Sequence, residues 1–164
     1  MLDTAIIQQV TGIFRSLESR YTLSAHISQE HSAAAEMREF LADFATTSSN
    51  ITVETHDAEG NTLYFDILKD GAPTGITFRG IPNGHEFTSL LLALLNADGK
   101  GKNLPDEGIA HRVKALQGDI HLQTYISLSC TNCPDVVQTL NIFALLNPNI
   151  RHEMVDGALF QDEV

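Results

Sequence analysis

The sequence contains no tryptophan and only two cysteines among its 164 residues. Two cysteines cannot build the disulfide framework that staples small secreted domains. Basic residues are scarce as well: 10 Lys+Arg stand against 21 Asp+Glu, a formal net charge of −11. Nucleic acid and anionic membrane are bound through basic surface, so neither is expected as a partner. No apolar run approaches the roughly 18 residues a membrane helix requires. Met1-Leu2-Asp3-Thr4 lacks the basic and then apolar segments of a secretory signal, and the expected location is cytoplasmic. A Gly-x-Gly-x-x-Gly segment is missing too, which argues against a dinucleotide or flavin fold within this chain. With 43% hydrophobic and 19% charged residues, the chain still has the material for a packed core.

The periodicity predicts alternating helices and strands. Ile6, Val10, Ile13, Phe14 and Leu17 recur at helical spacing over 4–17, with Asp3 or Thr4 as cap. A strand is expected at Tyr21–Ile27 and a helix over 32–45, with Ser32 near its cap and Met37, Phe40, Leu41 and Phe44 on one face. Ile51–His56 alternates as a strand with Ile51, Val53 and Thr55 on one side. Leu63–Lys69 and Gly75–Arg79 read as a strand pair, and Glu86–Asn96 as an apolar helix whose Leu90–Leu95 cluster belongs to the core. Ala97-Asp98-Gly99-Lys100-Gly101-Lys102-Asn103-Leu104-Pro105 is the best linker in the sequence. Beyond it come a helix at Asp106–Leu116, a strand at Ile120–Ile126, a helix at Pro134–Leu146 closed by Asn147-Pro148, and a strand at Ile150–Val155. Asp156-Gly157 makes a turn, and the last residues could begin another helix.

This order reads as one unit written twice. Setting Tyr21 on Ile120 also sets Leu41 on Leu140, Phe44 on Phe143 and Ile51 on Ile150. In that alignment Cys130 falls on His31 and Cys133 on Ala34, so thiol chemistry is confined to the second copy. The expected organisation is a first fold at 1–97, a linker at 98–105 and a partial second fold at 106–164.

The second copy places Cys130-Thr131-Asn132-Cys133-Pro134 between a strand and a helix. Cysteines at i and i+3 across a helical turn bring their sulfurs within bonding reach. A thiol at a helix start faces free N–H groups and the positive end of the dipole, which favours the nucleophilic thiolate. Cys133, deeper in the first turn, would resolve a mixed disulfide. Pro134 suits a first turn, since its φ is already helical and its missing N–H is not needed there. Three readings compete: incidental buried hydrophobes, half of a zinc site, or a redox pair. None of the seven histidines lies close in sequence to the pair, and no second close ligand pair exists. His121 and His152 fall on strands, where an isolated imidazole is commonly just solvated or hydrogen-bonded. The strand before and the helix after favour redox chemistry. His85 is expected to cap or pack near the last helix of the first fold, and His31 to lie on the surface near a helix start.

Four blocks in order carry a resemblance. They are Phe78-Arg79-Gly80-Ile81-Pro82-Asn83-Gly84-His85-Glu86-Phe87-Thr88-Ser89-Leu90; Gly118-Asp119 with Thr124-Tyr125-Ile126-Ser127-Leu128-Ser129; Cys130 through Gln138 with Leu140-Asn141; and Asp156-Gly157 with Phe160-Gln161 and Glu163. Together they resemble the N-terminal region of the flavoprotein component of bacterial alkyl hydroperoxide reductase.

The resemblance implies an α/β chain of tandem thioredoxin-like folds, the first without cysteines and the second carrying the Cys-x-x-Cys pair. It implies a dithiol that takes electrons from a reductase portion using FAD and NAD(P)H and passes them to a partner peroxiredoxin, which reduces hydroperoxides. Cys130 would attack and Cys133 resolve. Glu86 matches a glutamate near the active site, where a carboxylate could tune proton transfer or raise the thiol pKa. Thr131, Asn132 and Pro134 would be accessory, with Thr131 standing where relatives often have His. The family would continue past Val164 through a Val-Pro segment facing the cysteines and a reductase portion, so no cofactor or metal is expected on this chain. The contrasting expectations are a redox-inactive docking module for a peroxiredoxin or reductase, and a zinc-binding structural domain.

Overall fold

The structure is a computed structural model that describes residues 2–101 and 104–164. Lys102 and Asn103 of the expected linker lie outside the described residues. The chain groups in space into two compact units, Met1–Pro73 and Thr74–Val164. This grouping divides it within one strand, at a different place from the 98–105 boundary expected from composition.

The first unit contains α1 (Thr4–Phe14), β1 (Tyr21–Ser28), α2 (Ala34–Ala45), β2 (Ile51–Ala58) and β3 (Leu63–Lys69). Asp3 caps α1, its carboxylate accepting the Ile6 N–H at 2.8 Å. The strand order is β2-β1-β3. β1 runs parallel to β2 with Tyr21 opposite Ile51, and antiparallel to β3 with Tyr21 opposite Lys69. The alternation in β1 and β3 buries Leu23, Ala25, Ile27, Leu63, Phe65 and Ile67. The helical stripes bury Val10, Phe14, Met37, Phe40, Leu41 and Phe44, and Phe14 meets Phe44 edge-on at 5.7 Å. Each such side chain contributes about 1.5–3 kcal/mol on burial. β2 differs from expectation: Ile51 is buried, Val53 half-buried and Thr55 exposed. β2 ends the order of strands in this unit, and only its first residue reaches the core.

Two further expectations are corrected here. Ser32 does not cap α2, and His31 is not a surface residue. The N-cap is Ala33, which has no side-chain acceptor of its own. His31 is only 8% exposed, and its Nδ1 accepts the Ala33 N–H at 3.0 Å. The turn out of β1 folds inward, and the imidazole supplies the acceptor that a serine was expected to provide.

β4 (Ala72–Arg79) begins three residues before the expected Gly75, and its residues from Thr74 onward belong to the second unit. That unit continues with a 3-10 turn (Gly84–Glu86), α3 (Phe87–Ala97), α4 (Glu107–Lys114), β5 (Ile120–Ile126), α5 (Cys133–Leu146), β6 (Ile150–Asp156) and a 3-10 turn (Gln161–Glu163). The strands run β4-β6-β5, with β6 parallel to both neighbours and Ile120 opposite Ile150. Parallel neighbours require a crossover, and α5 provides it. Asn147, held extended before Pro148, ends α5, and its amide donates to the carbonyls of Val113 and Leu116 at 2.9 Å each, tying down the end of α4. Buried His152 on β6 bonds Asn141 Oδ1 through Nδ1 and Thr124 Oγ1 through Nε2, both at 2.7 Å. The tail forms the short 3-10 turn where a further helix was expected. Arg79 holds it, pairing with both oxygens of Glu163 at 2.7 and 2.9 Å and stacking over Phe160 at 4.3 Å. These contacts, with Glu153 at 3.4 Å, keep the Arg79 guanidinium charged and lower the Glu163 carboxyl.

Candidate redox site

The site forms where β5 gives way to α5. After Ile126 the chain bends, the Cys130 N–H donating to the Ser127 carbonyl at 2.9 Å. Ser127 and Ser129 join their hydroxyls at 3.0 Å beside the bend. Cys130 and Cys133 are disulfide-bonded, with Cα atoms 5.5 Å apart. Cys133 is the first residue of α5, Asn132 is its N-cap, and Pro134 lies in the first turn. The Cys133 N–H points at Cys130 Sγ at 3.2 Å. A sulfur there receives a donor left without an intrahelical partner and faces the positive end of the helix dipole. Thr131 and Asn132 are exposed, whereas both cysteines and Pro134 are half-buried. The disulfide is thus accessible at its rim and anchored at its base.

Glu86 lies in the turn before α3 and is 0% exposed. That turn rests on the loop leading to Cys130. The His85 N–H donates to the Leu128 carbonyl at 3.3 Å, and Gly84, at φ +54°, suits a glycine, since a Cβ would press against the Leu128 oxygen at 3.0 Å. Glu86 Oε1 accepts from Ser89 Oγ at 2.7 Å, and Ser89 Oγ accepts from Gln138 Nε2 of α5 at 3.3 Å. Glu86 Oε2 is buried without a hydrogen-bond partner. Burial lifts this carboxyl above the usual carboxylate range, against the lowering pull of the Ser89 hydroxyl and of nearby His85. His85 itself is exposed.

Ser89 and Gln138 stand in the sequence within the resembling blocks but with no role assigned, although Ser89 sits one turn from Glu86, a spacing that puts two helical side chains on one face. Asp156 likewise has no role in the sequence beyond its turn and its place in a resembling block. It is 4% exposed at the end of β6 opposite Ile126, and its carboxyl accepts the Ala158 N–H at 3.0 Å. Burial raises its pKa, with the Ala158 bond working in the other direction. Among the described residues no group of three His, Cys, Asp or Glu side chains is arranged to hold a metal ion. No helix of the described residues is long and apolar enough to cross a membrane.

A mixed α/β frame with a Cys-x-x-Cys disulfide at a strand-to-helix junction defines a thioredoxin-like protein. The NTD_N/C domain of alkylhydroperoxide reductase AhpF from Enterococcus faecalis superposes with a TM-score of 0.87 at 30% identity, over 99% of this chain and 84% of that one. The chain belongs to the family of that domain, the N-terminal domain of the alkyl hydroperoxide reductase AhpF. A protein disulfide oxidoreductase from Aeropyrum pernix shares the fold, with a TM-score of 0.86 at 18% identity over 99% of this chain and 79% of that one. In sequence, the alkyl hydroperoxide reductase AhpF of Pseudomonas aeruginosa is 42% identical over the whole chain, and a protein named NADH dehydrogenase from Bacillus subtilis is 40% identical. The chain spans 31% and 32% of their respective lengths. No protein-family model matches it.

Proposed function

We propose that the chain is a protein dithiol–disulfide relay that carries electrons from a flavin- and NAD(P)H-using reductase portion to a peroxiredoxin. The observation that carries this reading is the Cys133 N–H directed at Cys130 Sγ. In the reduced state the same geometry stabilises a Cys130 thiolate. That thiolate attacks the peroxiredoxin disulfide, forming a mixed disulfide and expelling one partner thiolate. Cys133 then gives up its proton to the Glu86 carboxylate and attacks Cys130 Sγ. The Cys130–Cys133 disulfide forms and the second partner thiolate leaves, so the dithiol is oxidised and the partner disulfide reduced. Reduction of the pair by the reductase portion closes the cycle. FAD and NAD(P)H belong, in this reading, to the part of the longer relatives that the chain does not span. Thr131, Asn132 and Pro134 shape the exposed face that meets the partner. A reducing, cytoplasmic setting suits a pair that must be re-reduced each cycle.

The tandem architecture belongs to the same proposal, with a first thioredoxin-like fold at 1–97, a linker at 98–105 and a partial second fold at 106–164. Matching registers support it. β1 and β2 pair in parallel from Tyr21 and Ile51, while β5 and β6 pair in parallel from Ile120 and Ile150, the positions the sequence alignment sets on one another.

Mixing the reduced chain with an oxidised two-cysteine peroxiredoxin tests the relay. Partner thiols are expected to appear with wild type, a trapped mixed disulfide with Cys133→Ser, and neither with Cys130→Ser. Transfer that persists in Cys130→Ser would contradict the reading. Salt-sensitive binding that survives loss of both cysteines, without any transfer by wild type, would turn it into a docking module.

A further inference from the structure

The hydrogen-bonded chain from α5 to Glu86 has a use that the cysteines alone do not explain. Gln138 donates to the Ser89 hydroxyl, the Ser89 hydroxyl donates to Glu86 Oε1, and Oε2 is buried and unpartnered. A carboxyl with one oxygen committed and the other bare is oriented: the bare oxygen is the one left open to exchange a proton with a neighbour. Bonds in such a chain polarise one another, so the Gln138 donor strengthens what Ser89 offers to Oε1. Gln138 also lies on the helix that opens with Cys133, so the chain couples the carboxyl to the element that carries the resolving cysteine.

We propose that Ser89 and Gln138 are positioning residues for the dithiol chemistry, fixing Glu86 so that Oε2 exchanges the Cys133 proton. This rests on the relay reading above. The step is balanced: the Cys133 S–H proton passes to Oε2 as the Cys133 sulfur bonds to Cys130, and it returns to Cys133 when an incoming dithiol reduces the pair. Few other titratable groups belong to the described elements around the carboxyl. His85 shares its turn, Cys130 lies in the adjoining loop, α5 contributes Cys133 and the exposed Asp135, and α3 contributes none.

Carbon-13 labelling of glutamate in the whole chain, followed by NMR through a pH titration of the disulfide form, reads Glu86 directly; its signal is assigned by its loss in Glu86→Gln. This readout needs no electron transfer, so failure of the relay reading and failure of this proposal are separable. Ser89→Ala removes the donor that favours the carboxylate and is expected to move the Glu86 midpoint up by about one pH unit. Gln138→Leu, a milder change at a half-buried position, is expected to move it in the same direction by less. Ser89→Thr, which keeps the hydroxyl, is expected to restore the wild-type midpoint. In a second arm, the pH profile of reduction by dithiothreitol is expected to shift with the carboxyl in each variant. A Glu86 midpoint unmoved in both Ser89→Ala and Gln138→Leu overturns the proposal, as does a reduction profile that ignores a moved midpoint.

Discussion

The junctions after β1 and after β5 solve one problem with different atoms. Each must provide an acceptor for an N–H at the start of the following helix. After β1 the acceptor is the imidazole of His31, whose Nδ1 takes the Ala33 N–H at 3.0 Å. After β5 it is the sulfur of Cys130, which takes the Cys133 N–H at 3.2 Å. The sequence alignment sets these two residues on the same position. A nitrogen in that place is buried, its pKa lowered by desolvation, and it ends as a cap. A sulfur there is held half-open beside a second sulfur and becomes a candidate reaction centre. Chemistry follows from which atom fills the acceptor position, on a frame that wants an acceptor in either case.

The units differ inside as well. The buried side chains of the first are mostly apolar, with Ser24, Ser28, His31 and Thr47 as the polar exceptions. The second buries Glu86, Ser89, Asn141, Asn147, His152 and Asp156. Buried polar groups specify a structure only while their partners are in place.

The largest effect that would sharpen this contrast is functional. Cys130→Ser is expected to lower thiol transfer to background, whereas His31→Ser leaves transfer intact, as a thiol-exchange assay would show. Gly80→Ala comes next. Gly80 has φ +141° and a Cβ there would stand 2.8 Å from Asp156 Cβ, so the substitution is expected to cost about 2–3 kcal/mol in denaturant unfolding.

Acid should also tell the units apart. Burial depresses His152 from its ordinary 6.5 to about 4, with nearby His121 adding to the effect. The unfolded chain then binds a proton in a range where the native His152 does not. Stability from this group is complete above pH 6.5 and falls as pH drops toward 4, by about 3 kcal/mol in all. His31 has the same sign in the first unit. Glu86 and Asp156 have the opposite one: burial raises both, so their contribution is complete at low pH and declines as pH rises through the raised values. Hydrogen exchange between pH 6.5 and 4 is expected to show protection lost first around His152; equal loss in both units would erase the distinction. The smallest effect is the cap itself, His31→Ala costing about 1 kcal/mol in thermal or denaturant unfolding.

Much of this was legible beforehand. The period-two and helical patterns placed β5 at Ile120–Ile126 and the helix after it to within a residue, because one face of each is apolar and the other is not. The cysteine pair announced itself by spacing, and Glu86 came through family resemblance. The polar interior was not legible. Nothing in a histidine, a serine or an Asp-Gly turn says which way the backbone will face it. His31, Ser89 and Asp156 became buried because a turn or a neighbouring element closed over them, and such closures join positions far apart in the chain. Gln138 lies 49 positions from Ser89, a separation no local pattern can bridge.

The relay depends on the reactivity of one sulfur, and alkylation measures it. With the pair reduced, the iodoacetamide reaction rate at each cysteine, followed against pH by mass spectrometry, should show Cys130 modified first. Its inflection should lie well below the ordinary thiol value of about 8.5. An inflection at or above that value, or Cys133 reacting ahead of Cys130, would contradict it.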